Sequence, residues 1–523
     1  MADDLGPLDR LTERAETLAG AWAGRARAST TVGRERALLR MFGVTGLDRA
    51  GRPLAWSVVD RYLVGGRGRL ATGVVLPFAL ALVEYDLDPQ RLALDVASGA
   101  VDLGMEADLL SQPDRRAIAE EEASRQVIAA IDRIDANRTA RAELIAVLGE
   151  PARPLVGAAI GEPDLRGALD EARAAVEAGA DLLDVDVPIG RELSDRLKRA
   201  GLDAPVWQPR RGAGPVDTLE QAPTGSQRAL GGLRRSLDEV AAQRRGYVRL
   251  GIVPPTLGTP ESAVVAAFER IDVARSDPLG EIVDGHVAPE RVLADHAFGQ
   301  AILARAGVSV VIGAGPLVVG PDLARGVPSE PAVIAGRALA LQLVGVAIAR
   351  GNGLSDEQIL VGGLTPWIVE ESQPVARAAA EIALRRALMP SLGIVLDEPP
   401  PTAAHIELWP AVVAAIRPDA GTAAVVRHRP DRAVIKETRF SAVVSREVAA
   451  AYQAFVLAPD ALRHARATAA AALRTLEQLS DEGWRAIVGD GPAGGLDRRL
   501  GEDSVTERSD TFDPLARELS RAG

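Results

Sequence analysis

Two carboxylates, Asp184 and Asp186, stand with one residue between them near the end of the apolar run Asp181 to Val187. Residues two apart share a face of an extended strand, so the pair could serve as acid and base or hold an ammonium group. Further groups of this kind follow along the chain: Arg191 with Glu192, Arg249, Asp272, Asp277, Asp284 with His286, Asp397 with Glu398, and Arg427 with His428. Each stands in or just after a short apolar run. Each also has a plainer reading. Strand-end carboxylates cap loops, and Asp284-Gly285-His286 has the composition of a turn. Arg427-His428-Arg429 could hold a phosphate or simply face water. Gly313-Ala314-Gly315-Pro316 could bring backbone amides to an anion, and a strand-to-loop turn explains it equally well.

Several chemistries are excluded at once. The chain of 523 residues has no cysteine, so disulfides, thiolate metal sites and thiol nucleophiles are absent. Its 5 histidines are scattered, with neither His-x-His nor His-Glu-x-x-His spacing, which argues against zinc. A net charge of −12 and a pI near 5.2, without a dense basic run, give no footprint for nucleic acid. The segment Met1 to Arg10 is acidic and lacks the apolar centre of a signal peptide. Val333 to Ile348 is apolar, but Arg337 interrupts it and it reads as too short to span a bilayer. These features predict a soluble, cytoplasmic protein with no membrane partner.

The elements that must position these groups come in three blocks. Residues 1–150 read as a helical accessory region, with one helix from Leu8 to Arg40 and mostly helical text from Leu54 to Leu148, none of it alternating like a sheet. Residues 151–457 change grammar: short apolar runs alternate with longer amphipathic ones. Strands are predicted at Pro154 to Ile160, Asp181 to Val187, Tyr247 to Val253, Ile271 to Ala274, Val308 to Ile312, Gly393 to Leu396 and Thr422 to Val426. Helices are predicted at Leu165 to Ala178, Arg191 to Ala200, Pro260 to Arg270, Pro289 to Ala306, Pro331 to Arg350 and Pro374 to Met389, several opening on proline as a first helical turn allows. About eight such βα units imply an α/β fold, a (β/α)₈ TIM-type barrel, with a doubly wound open sheet as the alternative. No Gly-x-Gly-x-x-Gly opens a helix, so a dinucleotide site has no support. Residues 458–523 form a C-terminal helical tail, Pro459 to Leu479, and a loop or contact arm, Gly489 to Asp510.

A family is visible in the order of short motifs along nearly the whole chain. Ser29-Thr30-Thr31-Val32, Arg34-Glu35-Arg36-Ala37, Gly43-Val44-Thr45-Gly46, Val58-Val59-Asp60, Ile131 with Asn137-Arg138, Tyr247-Val248-Arg249-Leu250, Pro260-Glu261, Glu269-Arg270-Ile271-Asp272-Val273 with Asp277, Gly353-Leu354-Ser355-Asp356-Glu357-Gln358 and Phe512-Asp513-Pro514-Leu515 together resemble the alpha subunit of D-lysine 5,6-aminomutase. The resemblance implies a barrel subunit that binds pyridoxal 5'-phosphate (PLP) and an amino-acid substrate. It also implies a smaller beta subunit that carries adenosylcobalamin and supplies the lysine for PLP, possibly as alpha2beta2. The two lysines here, Lys198 and Lys436, are compatible with that division.

The resemblance also says which site positions have changed. The family's PLP-contacting arginine and serine after the second barrel strand fall at Val187 and Glu192, leaving Arg191 to take over the phosphate. The pyridine-contacting serine falls at Pro255, the ring-stacking tyrosine at Gly280 and a nearby arginine at Gly285. A Glu-Asp-Asn stretch falls at Ala314-Gly315-Pro316 and a substrate lysine at Asp397, while a substrate-binding glutamate is kept at Glu437. Three functions follow as expectations: an aminomutase alpha subunit acting by 1,2-migration of a terminal amino group; a catalytically degenerate barrel paralogue that scaffolds a cobalamin-binding partner; or a barrel enzyme of another class. Glu177-Ala178-Gly179-Ala180-Asp181 is shared by many barrels, pterin-binding synthases included.

Overall fold

The structure is a computed structural model that describes residues 8–49, 52–66, 68–151, 154–160, 165–186, 227–254, 257–285, 287–313, 330–362, 374–397, 424–428, 459–488, 505–509 and 512–520. The chain opens with α1 (Leu8–Ala28), β1 (Ser29–Thr31) and α2 (Val32–Met41), so the single helix expected over Leu8 to Arg40 is broken. The break has a local cause. β-Branched Thr30 and Thr31 favour an extended backbone, and the Thr31 hydroxyl caps α2 by accepting from the Arg34 amide at 3.0 Å. β1 pairs antiparallel with Val505–Glu507, so part of the expected tail arm is a strand held by the N-terminus.

Helices α3 (Leu54–Leu63), α4 (Gly68–Thr72), α5 (Val75–Glu84), α6 (Pro89–Ser98) and α7 (Leu103–Leu109) lead to α8 (Pro113–Leu148), which has 36 residues. From there the chain enters eight strands: β2 (Leu155–Ile160), β3 (Leu182–Asp186), β4 (Arg249–Val253), β5 (Val273–Arg275), β6 (Ser309–Ile312), β7 (Ile359–Gly362), β8 (Gly393–Asp397) and β9 (Ala424–His428). They form one closed parallel barrel in sequence order, sealed where Leu155 meets Val425 and Ala158 meets His428. The open-sheet alternative is thereby removed. One strand, β7, escaped the sequence reading because its four residues follow directly on the 3₁₀ turn Asp356–Gln358.

The described helices between strands are α9 (Leu165–Glu177), α10 (Gln227–Arg244), α11 (Thr259–Phe268), α12 (Pro278–Gly285), α13 (Pro289–Ala306), α14 (Pro331–Gly351) and α15 (Pro374–Leu388); α16 (Pro459–Glu482) follows the barrel. The expected helix Arg191 to Ala200 lies outside the described residues. So do the calls on Val187, Arg191, Glu192, Pro255, His286, Ala314 to Pro316, Glu398 and Glu437.

The apolar run at residues 333–348 was read as too short to span a bilayer, and the structure corrects this. It belongs to α14, whose 21 residues and hydropathy of 1.9 suffice to cross a membrane by length and composition. Here α14 is a barrel-layer helix: 72% of that apolar window is buried, against α1 and α16. At Gly336 the approach is so close that a Cβ would lie 2.5 Å from the Ala471 methyl. The Trp22 and Trp484 rings, 4.0 Å apart, join α1 to the segment after α16.

Helix α8 ties this outer layer to the lower ends of the strands. Asn137 donates to the Ala267 and Phe268 carbonyls at 3.1 and 2.9 Å, and Arg305 reaches Asp135. Buried Arg141 donates to the carbonyls of Ile271, Ala306 and Gly307, binding the entries of β5 and β6 together. Replacing Arg141 by Met keeps the stem but leaves three carbonyls without this donor, two of the lost bonds being buried. Unfolding free energy should fall by about 2–4 kcal/mol, seen as a lower urea midpoint at unchanged slope; an unchanged midpoint would refute this clamp.

Candidate functional site at the C-terminal mouth of the barrel

In a parallel barrel, register partners face the same side and residues alternate inward and outward. Leu155, Leu182, Val273, Val311, Leu360 and Val395 form a cluster separate from the helix-layer core, which marks them as the barrel interior. Counting two residues onward, Asp184 follows Leu182 and Arg275 follows Val273, so both point inward toward the mouth. Asp184 is buried and occupies the space left by Gly251, its register partner on β4. A Cβ at Gly251 would lie 1.9 Å from Asp184 Oδ1.

Asp277 follows β5 and caps α12. One carboxylate oxygen accepts from the Gly280 amide at 3.2 Å, and the other from the Gly313 amide, at the end of β6, at 3.1 Å. Burial raises its pKa above the ordinary carboxyl value, against the lowering effects of the Gly280 amide, His296, the Gly313 amide and Arg275. Gly313 itself has φ +68°, a left-handed turn that glycine adopts without strain.

Behind this rim runs a chain of hydrogen bonds that the sequence reading missed. Gln300 Nε2 donates to Ser276 Oγ at 3.2 Å; Ser276 Oγ lies 2.8 Å from His296 Nδ1; His296 Nε2 lies 2.9 Å from Glu281 Oε2. The Leu257 amide donates to Glu281 Oε1 at 2.5 Å. The ends settle the directions for a neutral ring. An ionised carboxylate only accepts, so Nε2 carries the proton and Nδ1 accepts from the serine. The arrangement looks like a nucleophile triad, but alternation turns Ser276 outward, away from the barrel interior, and it is 1% exposed. It is a strut between the end of β5 and the helix layer. Leu257, held at φ +64°, is fixed by the same strut. Polar His296 and Gln300, one turn apart on an otherwise apolar face of α13, were the available signal.

Two expected mouth residues lie at the opposite end. Arg249 opens β4 and pairs with Glu150 at 2.7 Å. Asp272 precedes β5 and accepts from the Tyr247 hydroxyl at 2.9 Å, the Leu250 amide at 2.8 Å and Arg234 at 3.2 Å. Burial, followed by the Asp272 charge, pushes the Tyr247 hydroxyl far above its usual range. The strands begin two residues later than the apolar runs suggested, which places both residues at the N-terminal face, where their hydrogen bonds and ion pairs hold the barrel floor together. Asp284 and Gly285 end α12 and form no separate turn. Asp186 and Asp397 end β3 and β8, and Arg427, one residue before the end of β9, is the register partner of Asp397.

The fold and rim define a class: a parallel (β/α)₈ barrel whose C-terminal mouth carries inward carboxylates beside an arginine. The family follows from comparison. Residues 4–405 match the D-lysine 5,6-aminomutase TIM-barrel domain of the alpha subunit, and the chain belongs to that family. A lysine 5,6-aminomutase alpha subunit from Fusobacterium nucleatum is 26% identical over 339 residues, covering 64% of this chain and 59% of its own. One from Acetoanaerobium sticklandii is 27% identical over 285 residues, covering 54% and 51%. The chain thus spans between half and three fifths of the length of these curated relatives. Among solved structures, dihydropteroate synthase from Yersinia pestis aligns at a TM-score of 0.32 and 12% identity, covering 58% of this chain and 95% of that one. The enzyme from Anaplasma phagocytophilum aligns at 0.34 and 12%, covering 56% and 98%.

The raised Asp277 carboxyl makes a pH prediction. The folded state holds its proton to higher pH than the unfolded chain, whose aspartate titrates near pH 3.9. Between that value and the raised folded one, stability must fall as pH rises. Asp277→Asn should remove this component, so urea midpoints at pH 4 and pH 7 should differ less in a pH-dependent way for the variant than for the wild type. Equal pH dependence in both would contradict the assignment.

Proposed function

We propose that this chain is the barrel subunit of a lysine 5,6-aminomutase-like enzyme, an isomerase that moves a terminal amino group to the neighbouring carbon of an amino-acid substrate. One observation carries the reading. The family match begins at residue 4 and runs through the accessory helices into the barrel, whereas barrels of other classes would share the βα units alone. In this reading a smaller cobalamin-binding beta subunit docks on the barrel, in an assembly of two alpha-type and two beta-type subunits in the cytoplasm. Adenosylcobalamin on that partner would supply the radical that opens the rearrangement.

The residues of this chain would bind and orient the substrate. The inward Arg275 guanidinium suits a carboxylate in bidentate geometry, and the inward Asp184 carboxylate suits an ammonium group. PLP is different. A ring needs a stacking face, and the described corner at Gly280 has none: the Asp277 carboxylate fills the place where a side chain would start.

That same corner favours a second reading, a barrel that keeps the fold and its partner without catalysing the reaction. Co-purification with a candidate cobalamin-binding subunit, followed by incubation with D-lysine, L-lysine or ornithine, separates the two. Co-elution with cobalamin absorbance and an isomerised product supports the enzyme, with KM rising at least about tenfold in Arg275→Met. Co-elution without product supports the scaffold. Absence of any complex would sink both.

A further inference from the structure

The PLP misfit rests on more than a missing aromatic residue. The corner between β5 and α12 is locked from three directions, and each lock is visible in the side chains.

From the front, Asp277 spans the corner. Its carboxylate takes the Gly280 amide at 3.2 Å and the Gly313 amide at 3.1 Å, stitching the start of α12 to the end of β6. Both glycines are tightly packed. A Cβ on Gly280 would lie 2.8 Å from Asp277 Oδ2 and 3.1 Å from Cγ, and one on Gly313 would lie 2.7 Å from Gln342 Nε2. From the side, Gln342 donates to the Ile312 carbonyl at 3.2 Å and the Gly362 carbonyl at 2.9 Å. Its own amide oxygen accepts from Arg385 at 2.9 Å, and Arg385 pairs with Glu381 at 3.3 Å. Thus the ends of β6 and β7 cannot move without breaking buried bonds. From behind, Glu281 holds α12 one turn in, through His296 at 2.9 Å and the Leu257 amide at 2.5 Å. The helix is pinned on both faces within its first turn.

A corner that could yield would have at least one free side. This one has none among the described residues, and the groups that close it are buried polar groups, each of which costs about 1–3 kcal/mol to leave without a partner. Opening the space for an aromatic ring would expose several of them together.

We infer that the β5–α12 corner of the mouth offers neither the space nor the stacking face that a PLP ring needs. The inference rests on the family reading only for naming the excluded cofactor.

The test is a binding titration of the full-length chain, alone and with its cobalamin-binding partner, against PLP and pyridoxamine phosphate. The second probe cannot form imines, so it reports a pocket and not a reactive lysine. No saturable binding of either below about 1 mM is the expected result. Saturable, stoichiometric binding of pyridoxamine phosphate would overturn the inference while leaving the proposed function intact; failure to form the partner complex would overturn the proposed function and leave the inference intact. Gly280→Ala tests the lock independently of any ligand. Its methyl collides with the Asp277 carboxylate, so the thermal midpoint should drop by roughly 2 °C or more. An unchanged midpoint would show that the corner yields and would remove the physical basis for exclusion.

Discussion

Closure of eight strands into one barrel imposes the constraint on which the rest of the molecule depends. Once β9 seals onto β2, every strand residue must face either the interior or the helix layer, and its height along the strand decides whether it meets the mouth or the floor. Chemical type has no say in this. Asp184 and Arg275 become mouth residues because they lie two positions beyond Leu182 and Val273. Ser276 is shut behind the wall by a single step in sequence. Arg249 and Asp272 become floor residues because their strands start where they stand, and there they knit Glu150, Arg234 and Tyr247 into the base.

Short strands make that constraint costly to satisfy. β5 has three residues and β6 four, too few for ladder bonds alone to fix their ends. The missing bonds come from side chains reaching in from the helix layer: His296 and Gln300 from α13, Gln342 from α14, Arg385 from α15. Burial pulls the Arg385 guanidinium below its ordinary range while Glu381 opposes that effect, as expected for a charge kept inside only because its partner is there. Such networks are all-or-nothing, since a half-made one leaves buried polar atoms stranded. They also make the rim rigid, because moving one strand end would break several buried bonds together.

This arrangement explains how members of one family can share a frame at low sequence identity. Frame positions need apolar volume and the right period, and many residues supply those, so identity of 26–27% to curated alpha subunits is compatible with the same architecture. The accessory helices are held by pairs such as Asn137 with the end of α11 and Thr31 with Asp295, which are indifferent to what the mouth binds. Function resides in the few groups on the rim, and those can change without disturbing the frame.

The sequence by itself determined the alternation of strands and helices, seven of the eight barrel strands, the helical character of the N-terminal part, and the family. Those features are written in local periodicity, in proline at helix starts, and in the order of short motifs. It could not separate a closed barrel from an open sheet, because both are built of the same βα units and differ only in whether the last strand meets the first. Nor could it say which of Asp184, Asp272, Asp277 and Arg249 reach the mouth, since a shift of two residues in a strand's start exchanges top for bottom. The strut through Ser276, His296 and Glu281 and the clamp of Asp277 on Gly280 and Gly313 join residues up to 36 positions apart. Only tertiary packing brings such groups within hydrogen-bonding distance, and it does so because buried polar atoms must find partners wherever the fold places them.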